Sequence, residues 1–110
     1  MVAEAEELIG RYEAFVALTR QMLAAARASE WERLISLGHD RDLVLDIIKQ
    51  LDATIRLDST TNGRKAKLIE ENLALDTETC KLVESWMADL KSAMHSNLQE
   101  QRLLKQYGAD

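Results

Sequence analysis

The chain has 110 residues, a formal net charge of −5 and a sequence pI near 5.0. It contains no proline, four glycines and one cysteine, and aromatic residues make up only 5% of it. This length fits one domain over residues 1–110, and so few helix breakers predict an all-α fold. The acidic balance, with no block of five or six basic residues, argues against direct binding to nucleic-acid phosphates.

The N-terminal sequence does not resemble a secretory signal. Glu4, Glu6 and Glu7 stand where a signal peptide carries positive charge, and no long apolar core follows them. No run of about eighteen apolar residues is present, so no membrane span is expected. A single cysteine, Cys80, cannot form an internal disulfide, and the expected location is therefore the cytoplasm.

The first predicted helix covers residues 4–27. Its apolar residues recur at alternating spacings of four and three, which places them along one face. A second helix is predicted over residues 30–57, opened by a capping box in which Ser29 is the N-cap and Glu32 the N3 residue. Because only two or three residues connect these helices, they should lie antiparallel.

Six residues from Asp58 to Gly63 form the clearest break after the second helix. Asn62-Gly63 is a strong turn pair, and one residue of 59–62 is expected to cap the third helix. Within the second helix, Gly38 suggests a close approach of a neighbouring helix, because glycine otherwise costs about 1 kcal/mol relative to alanine.

The third helix is predicted over residues 64–107 and carries two adjacent apolar stripes, so it can face two neighbours. Ser92, His95, Ser96 and Asn97 are poor helix formers, which predicts a bend or break there. The expected fold is therefore an antiparallel bundle of three long helices with a short fourth segment, about residues 93–107, that docks back or projects. The predicted core includes Phe15, Met22, Trp31, Leu34, Ile48, Leu75, Leu82 and Trp86.

The sequence offers little for catalysis, metal binding or a cofactor. His39 and His95 have no partner at metal-ligand spacing, and Cys80 is expected to be a small buried apolar residue. A histidine phosphotransfer domain is the enzyme-like alternative, with His39 on the second helix. However, Asp40 and Asp42 flank that region and would repel a phosphoryl group.

Arg41 and Asp76 each interrupt an otherwise apolar stripe. With an antiparallel turn between their helices, the two residues lie at similar heights, which predicts an ion pair that fixes helix register. The alternative is that both are solvated charges at the edges of their stripes.

The order of these elements resembles the FliT family of bacterial flagellar export chaperones, from about Tyr12 to Tyr107. No single motif is diagnostic, since similar short motifs occur in unrelated helical bundles. The similarity lies in the order and spacing of Met22-Leu23-Ala24-Ala25-Ala26, Glu30-Trp31-Glu32-Arg33-Leu34-Ile35, Arg41, Leu68-Ile69, Leu73-Ala74-Leu75-Asp76, Trp86-Met87-Ala88-Asp89-Leu90 and Leu103-Leu104-Lys105-Gln106-Tyr107-Gly108.

The resemblance implies a cytoplasmic chaperone, not an enzyme. FliT-like proteins bind the C-terminal segment of the filament-cap protein FliD and deliver it to the flagellar type III export gate. They also contact export apparatus components, and in some bacteria they restrain the master regulator FlhDC. In the family, the C-terminal helix controls partner access, which corresponds here to residues 93–107. The chain stops at Asp110, where some members have a longer tail, so tail-dependent regulation is in doubt.

An apolar edge late in the chain is the expected partner-binding site. A client helix would lie in a groove beside it, and methionine side chains adapt to such partners. The residues of this edge are Val83, Met87, Leu90, Met94, Leu98, Leu103, Leu104 and Tyr107. Ordinary core or homodimer contact is the alternative for this edge, and a coiled-coil or dimerisation module without a client is the alternative function.

Overall fold

A computed structural model describes the backbone of residues 2–106 and the side chains of residues 3–106. In this range the chain forms three α-helices and no strand, which confirms the all-α prediction. The helices are α1, Val2–Arg27, α2, Trp31–Asp52, and α3, Ser59–Gln106. The residues fall into two compact units, unit 1 up to Cys80 and unit 2 from Lys81 onward.

The predicted break at residues 92–97 is wrong, because α3 continues through them without interruption. Serine, histidine and asparagine each lower helix propensity by less than about 1 kcal/mol. Neither proline nor glycine accompanies them, and strong helix formers such as Leu90, Met94 and Leu98 surround them. No separate fourth helical segment is therefore present among the described residues.

The residues between α1 and α2 do not form the predicted capping box. They form a motif that ends α1. Ser29 has a φ of 58°, which is the left-handed conformation that glycine usually supplies after a helix. Its N–H donates to the Ala26 carbonyl at 3.1 Å, while the Glu30 N–H donates to the Ala25 carbonyl at 2.8 Å. This pair of bonds is a Schellman motif. Glu30 is then the N-cap of α2 and makes no side-chain cap bond, so the prediction of Ser29 as N-cap is wrong.

The connection between α2 and α3 lies earlier than the sequence indicates. Helix α2 ends at Asp52, and the hydroxyl and N–H of Thr54 both donate to the Leu51 carbonyl beside this end. Helix α3 begins at Ser59, after Asp58. The pair Asn62-Gly63, predicted as a turn, therefore lies inside the first turns of α3.

Asp58 is the N-cap of α3. Its carboxylate accepts a hydrogen bond from the Thr61 N–H at 2.7 Å, which satisfies one of the unpaired donors of the first turn. This bond holds the pKa of the Asp58 carboxyl below its ordinary value. The cap thus comes one residue before the range 59–62 that the sequence indicates.

Side-chain bonds define the helix directions in unit 1. Toward the N-terminus of α1, Tyr12 bonds Asp52 at the end of α2, whereas Thr19, farther along α1, bonds Arg41, earlier in α2. These two helices are therefore antiparallel. Residues of α1 pair with residues 51 positions later in α3, in steps of seven: Glu13 with Arg64, Arg20 with Glu71 and Arg27 with Glu78. A constant offset means that α1 and this part of α3 run in the same direction.

Arg41 connects all three helices of unit 1. From α2, its Nη1 donates to Asp76 Oδ1 of α3 at 2.8 Å and to Thr19 Oγ1 of α1 at 3.1 Å. Its guanidinium carbon also lies 5.3 Å from the centre of the Phe15 ring. The structure thus brings Arg41 and Asp76 together. With about a fifth and a third of their side-chain surfaces exposed, the two charges are partly shielded from water.

The core of unit 1 is built mainly from α1. The described buried apolar residues are Leu8, Ile9, Val16, Met22, Leu23, Ala25, Ala26, Leu37 and Ile48. Of the predicted core, Met22 and Ile48 are buried, whereas the other six residues are only half-buried. A methyl group at Gly38 would lie 3.7 Å from the end of the Met22 side chain, an ordinary contact, so no close helix approach requires this glycine.

Replacing Ser29 with glycine should stabilise the protein. Glycine adopts the left-handed conformation without the steric cost of a Cβ, so we expect the free energy of unfolding in urea to rise by about 0.5–1 kcal/mol. Ser29→Ala keeps the Cβ and is the matched control, which should show no gain. Equal stabilities of the two variants would contradict this account of the turn.

Removing Asp76 should leave the Arg41 guanidinium without its carboxylate. Because the pair is partly buried, we expect Asp76→Ala to lower the free energy of unfolding by about 1–3 kcal/mol. Asp89→Ala, at an exposed position of the same helix, is the control and should have little effect. The double variant Arg41→Leu with Asp76→Met should recover much of the loss, and a double-mutant cycle with coupling near zero would refute the energetic role of the pair.

Candidate functional site

Unit 2 presents a continuous apolar stripe to solvent. Met87, Leu90, Met94 and Leu98 follow one another at spacings of three and four, which places them on one face of α3. Between 41% and 61% of the surface of each residue is exposed. Together with half-buried Val83 they form what we name the α3 stripe. Such contiguous exposed apolar surface is typical of a site for another protein.

The remaining residues of the predicted edge lie differently around the helix. Leu104 extends the α3 stripe on the side of Leu90, because fourteen residues are close to four turns. Leu103 follows Met94 by nine residues, about two and a half turns, and therefore lies on the opposite face. Both leucines are exposed. Tyr107 lies outside the described residues.

The continuous helix also changes one expectation about access to this site. A segment beyond residue 93 could cap Met87 and Leu90 only if the chain reversed direction after them. Helix α3 instead carries Leu98 and Leu104 onward without a turn. Of the two alternatives for the C-terminal segment, docking back onto the stripe is therefore not seen among the described residues, and the α3 stripe is exposed to solvent.

The two histidines and the cysteine form no metal-binding arrangement within the described range. His39 is exposed, and His95 accepts a hydrogen bond from the Gln99 amide at 3.2 Å. No group of three or more histidine, cysteine, aspartate or glutamate residues in this range could hold a metal ion. Cys80 is exposed, which corrects the expectation that it is buried, because it lies on the outward face of α3.

Unit 1 contains a second polar junction, which the sequence did not indicate. Asp52 accepts a hydrogen bond from the Tyr12 hydroxyl at 3.0 Å, and Lys65 donates to both oxygens of the same carboxylate at 3.0 Å. The ammonium of Lys65 also lies 5.5 Å from the centre of the Tyr12 ring. One residue from each helix thus meets at Asp52. The available signal was Tyr12 itself, since a tyrosine on an apolar face usually finds a partner for its hydroxyl.

This junction favours the protonated forms of both donors. Burial raises the pKa of Tyr12, and its hydrogen bond to Asp52 raises it further. The hydrogen bond to Asp52 likewise raises the pKa of Lys65. A raised pKa contributes stability that is complete below the ordinary pKa and is lost as pH rises through the raised value. As pH rises, deprotonation of these donors should therefore weaken the junction above about pH 10.

The ionisation of Tyr12 tests this junction. In a Tyr107→Phe background Tyr12 is the remaining tyrosine, and its near-ultraviolet absorbance should titrate above the ordinary value of about 10. Adding Asp52→Asn should lower the midpoint, because the neutral amide stabilises the phenol less against ionisation. Asp46→Asn, at an exposed position of α2, is the matched control and should leave the midpoint unchanged. An unshifted midpoint in the background variant would contradict the junction.

No helix in the described range is long and apolar enough to cross a membrane. Searches of curated proteins and of solved structures found no match. The profile of the family described as "FliT: Flagellar protein FliT" matches residues 9–109, which is nearly the whole chain and includes both the Arg41 contacts and the α3 stripe. The chain therefore belongs to the FliT family of flagellar proteins, as the order of its sequence elements indicates.

Proposed function

We propose that this protein is a cytoplasmic chaperone of flagellar type III export that binds the C-terminal segment of the filament-cap protein FliD. Membership of FliT, a flagellar chaperone family, supports the general role. The observation that carries the specific proposal is the exposed α3 stripe, which provides an apolar surface for an amphipathic helix. In this proposal α1, α2 and the first part of α3 form an antiparallel bundle that carries the stripe.

The size of the stripe fits a reversible complex. About half of the surface of each of Met87, Leu90, Met94 and Leu98 remains to be buried, which corresponds to ~1 kcal/mol for each side chain. Matching side chains of the client add a similar amount, for a total of ~8 kcal/mol before the cost of ordering. A dissociation constant of 1 μM corresponds to about 8.2 kcal/mol. The complex should therefore be micromolar or weaker unless the client makes further contacts, and a chaperone must release its cargo at the export gate.

The methionines suit this role. Met87 and Met94 have flexible, polarisable side chains that adapt to the shape of a partner.

Export apparatus components and the master regulator FlhDC are further proposed partners, as the resemblance to the family implies. Such an apolar surface can bind different partner helices at different times. It cannot hold two partners at once.

Self-association is the second candidate function. A long helix with an exposed stripe at spacings of three and four can pair with a second copy as a coiled coil. A homodimerisation module without a client would use the same residues, so the oligomeric state and client binding must be measured separately.

A charge placed in the middle of the stripe should separate these possibilities. We expect Met94→Glu to weaken binding of a FliD C-terminal peptide at least tenfold, because a carboxylate would have to be desolvated at the interface. Leu103→Glu is the matched control, since it introduces the same charge on the opposite face of α3. Fluorescence anisotropy measures the affinity, and circular dichroism verifies that both variants remain helical.

Two results would count against the chaperone proposal. Equal effects of Met94→Glu and Leu103→Glu would show that the stripe is not the client site. If the wild-type protein binds no FliD peptide and sediments as a dimer that Met94→Glu dissociates, the dimerisation module is the better description.

A further inference from the structure

Two lysines lie along one edge of the α3 stripe. Lys91, Leu98 and Lys105 follow one another in steps of seven residues, nearly two turns, so they lie on the same side of the helix. Lys91 also lines the surface groove that Met87 and Met94 form. Both lysines are exposed, and their long, flexible stems allow the ammonium groups to reach a partner that covers the stripe.

Neither lysine pairs with a carboxylate in the described range. No aspartate or glutamate stands three or four residues from Lys91 or Lys105, the spacing at which side chains meet on a helix. Nor does either lysine make an ion pair elsewhere within residues 3–106. In unit 1, by contrast, Arg20, Arg27 and Arg41 each pair with a carboxylate of α3. The net charge of −5 means that acidic residues are in excess, yet these two cations remain available to a partner.

The opposite edge of the stripe carries no cation. Leu90, Asn97 and Leu104 follow one another in steps of seven along that side. Beyond them lie Asp89 and Glu100, which are eleven residues apart and therefore about three turns from each other on one face. An anionic membrane surface would contact both edges of the stripe, so this one-sided arrangement does not suit it. A partner helix presents a different edge to each side, which matches the arrangement.

We propose that the partner helix of the α3 stripe is acidic along the edge that faces Lys91 and Lys105. This inference rests on the proposed function, because it specifies the client of the same site. Apolar side chains of the partner would cover Met87 and Met94, and its carboxylates would pair with the two lysines, as e and g residues do in coiled coils. Exposed charge pairs are weak, so their main effect is to select the partner and its direction. Turning a helix end for end exchanges its two edges, which is why a one-sided charge fixes direction.

A matched pair of synthetic helical peptides tests the charge preference. Each peptide spans three heptads with leucine at positions a and d, and the two differ only in having glutamate or lysine at e and g. With the full-length protein in about 150 mM salt, fluorescence anisotropy should show that the glutamate peptide binds about tenfold tighter than the lysine peptide. The protein's net charge of −5 favours the lysine peptide, so this result requires a local cationic site.

Charge reversal assigns the preference to the two lysines. Lys91→Glu should weaken binding of the glutamate peptide about three- to tenfold, and adding Lys105→Glu should reverse the order of the two peptides. Lys81→Glu makes the same change on the opposite face of α3, nine residues before Leu90, and is the matched control that should leave both affinities unchanged. Met94→Glu should weaken both peptides, because it places a charge within their apolar contact.

Several results would overturn the inference. Equal affinities of the two peptides for the wild-type protein, or equal effects of Lys91→Glu and Lys81→Glu, would show that the lysines do not select the partner. Binding to phosphatidylglycerol vesicles but to neither peptide would identify an anionic membrane as the partner. A dimer that binds neither peptide and that Lys105→Glu dissociates would identify a second copy of this chain.

A FliD C-terminal peptide separates this inference from the proposed function. If that peptide binds and Met94→Glu weakens it but Lys91→Glu does not, the chaperone proposal stands and the acidic edge is wrong. If the glutamate peptide shows the expected preference and the FliD peptide does not bind, the acidic edge stands and the client is another protein.

Discussion

The guanidinium of Arg41 is the contact on which the arrangement of unit 1 most depends. From the middle of α2 it reaches both other helices, through Thr19 of α1 and Asp76 of α3. The exposed ion pairs between α1 and α3 each contribute little, since water screens them. Arg41 differs because its charge is partly buried, so any helix arrangement that separates it from Asp76 leaves an uncompensated charge. The pair therefore acts mainly by making other registers unfavourable, and the Asp52 junction does the same near the α2–α3 connection.

The two parts of helix α3 differ in their contacts, although the helix is continuous. Its first part is held by ion pairs and hydrogen bonds to α1 and α2, whereas its last part carries an apolar stripe exposed to solvent. Exposed apolar surface of this extent favours association, and in a member of a flagellar chaperone family a client helix is a natural partner for it. Because the stripe lies on a helix that is already folded in unit 2, its backbone needs no ordering when a partner binds, which reduces the entropy lost on binding.

Asn72 shows where the interior departs from an optimised core. Thr19 and Thr79 are also buried and polar, but each hydroxyl donates to a carbonyl one turn earlier in its own helix. The Asn72 oxygen is an acceptor and finds no such donor among the described residues.

The sequence by itself determined that this protein is helical, that it has three long helices, and the heights at which Arg41 and Asp76 lie. These features follow from composition and from the period of the apolar residues, which are local properties of the chain. The order and spacing of its motifs indicated the family, whereas the predicted fourth segment was wrong. The helix ends are also made by local bonds, but several local signals compete there and the structure showed which of them are used. Ser29 ends α1 through its left-handed backbone, and Asp58 caps α3, whereas Asn62-Gly63 forms no turn. Tertiary structure decided which apolar faces are covered. The period of the apolar residues shows that a helix face is apolar, but it does not show whether another helix covers that face. Cys80 and Met94 lie on apolar stripes typical of a core, yet both are exposed. The junction at Asp52 arises where three helices meet, and no single segment of the chain contains that information.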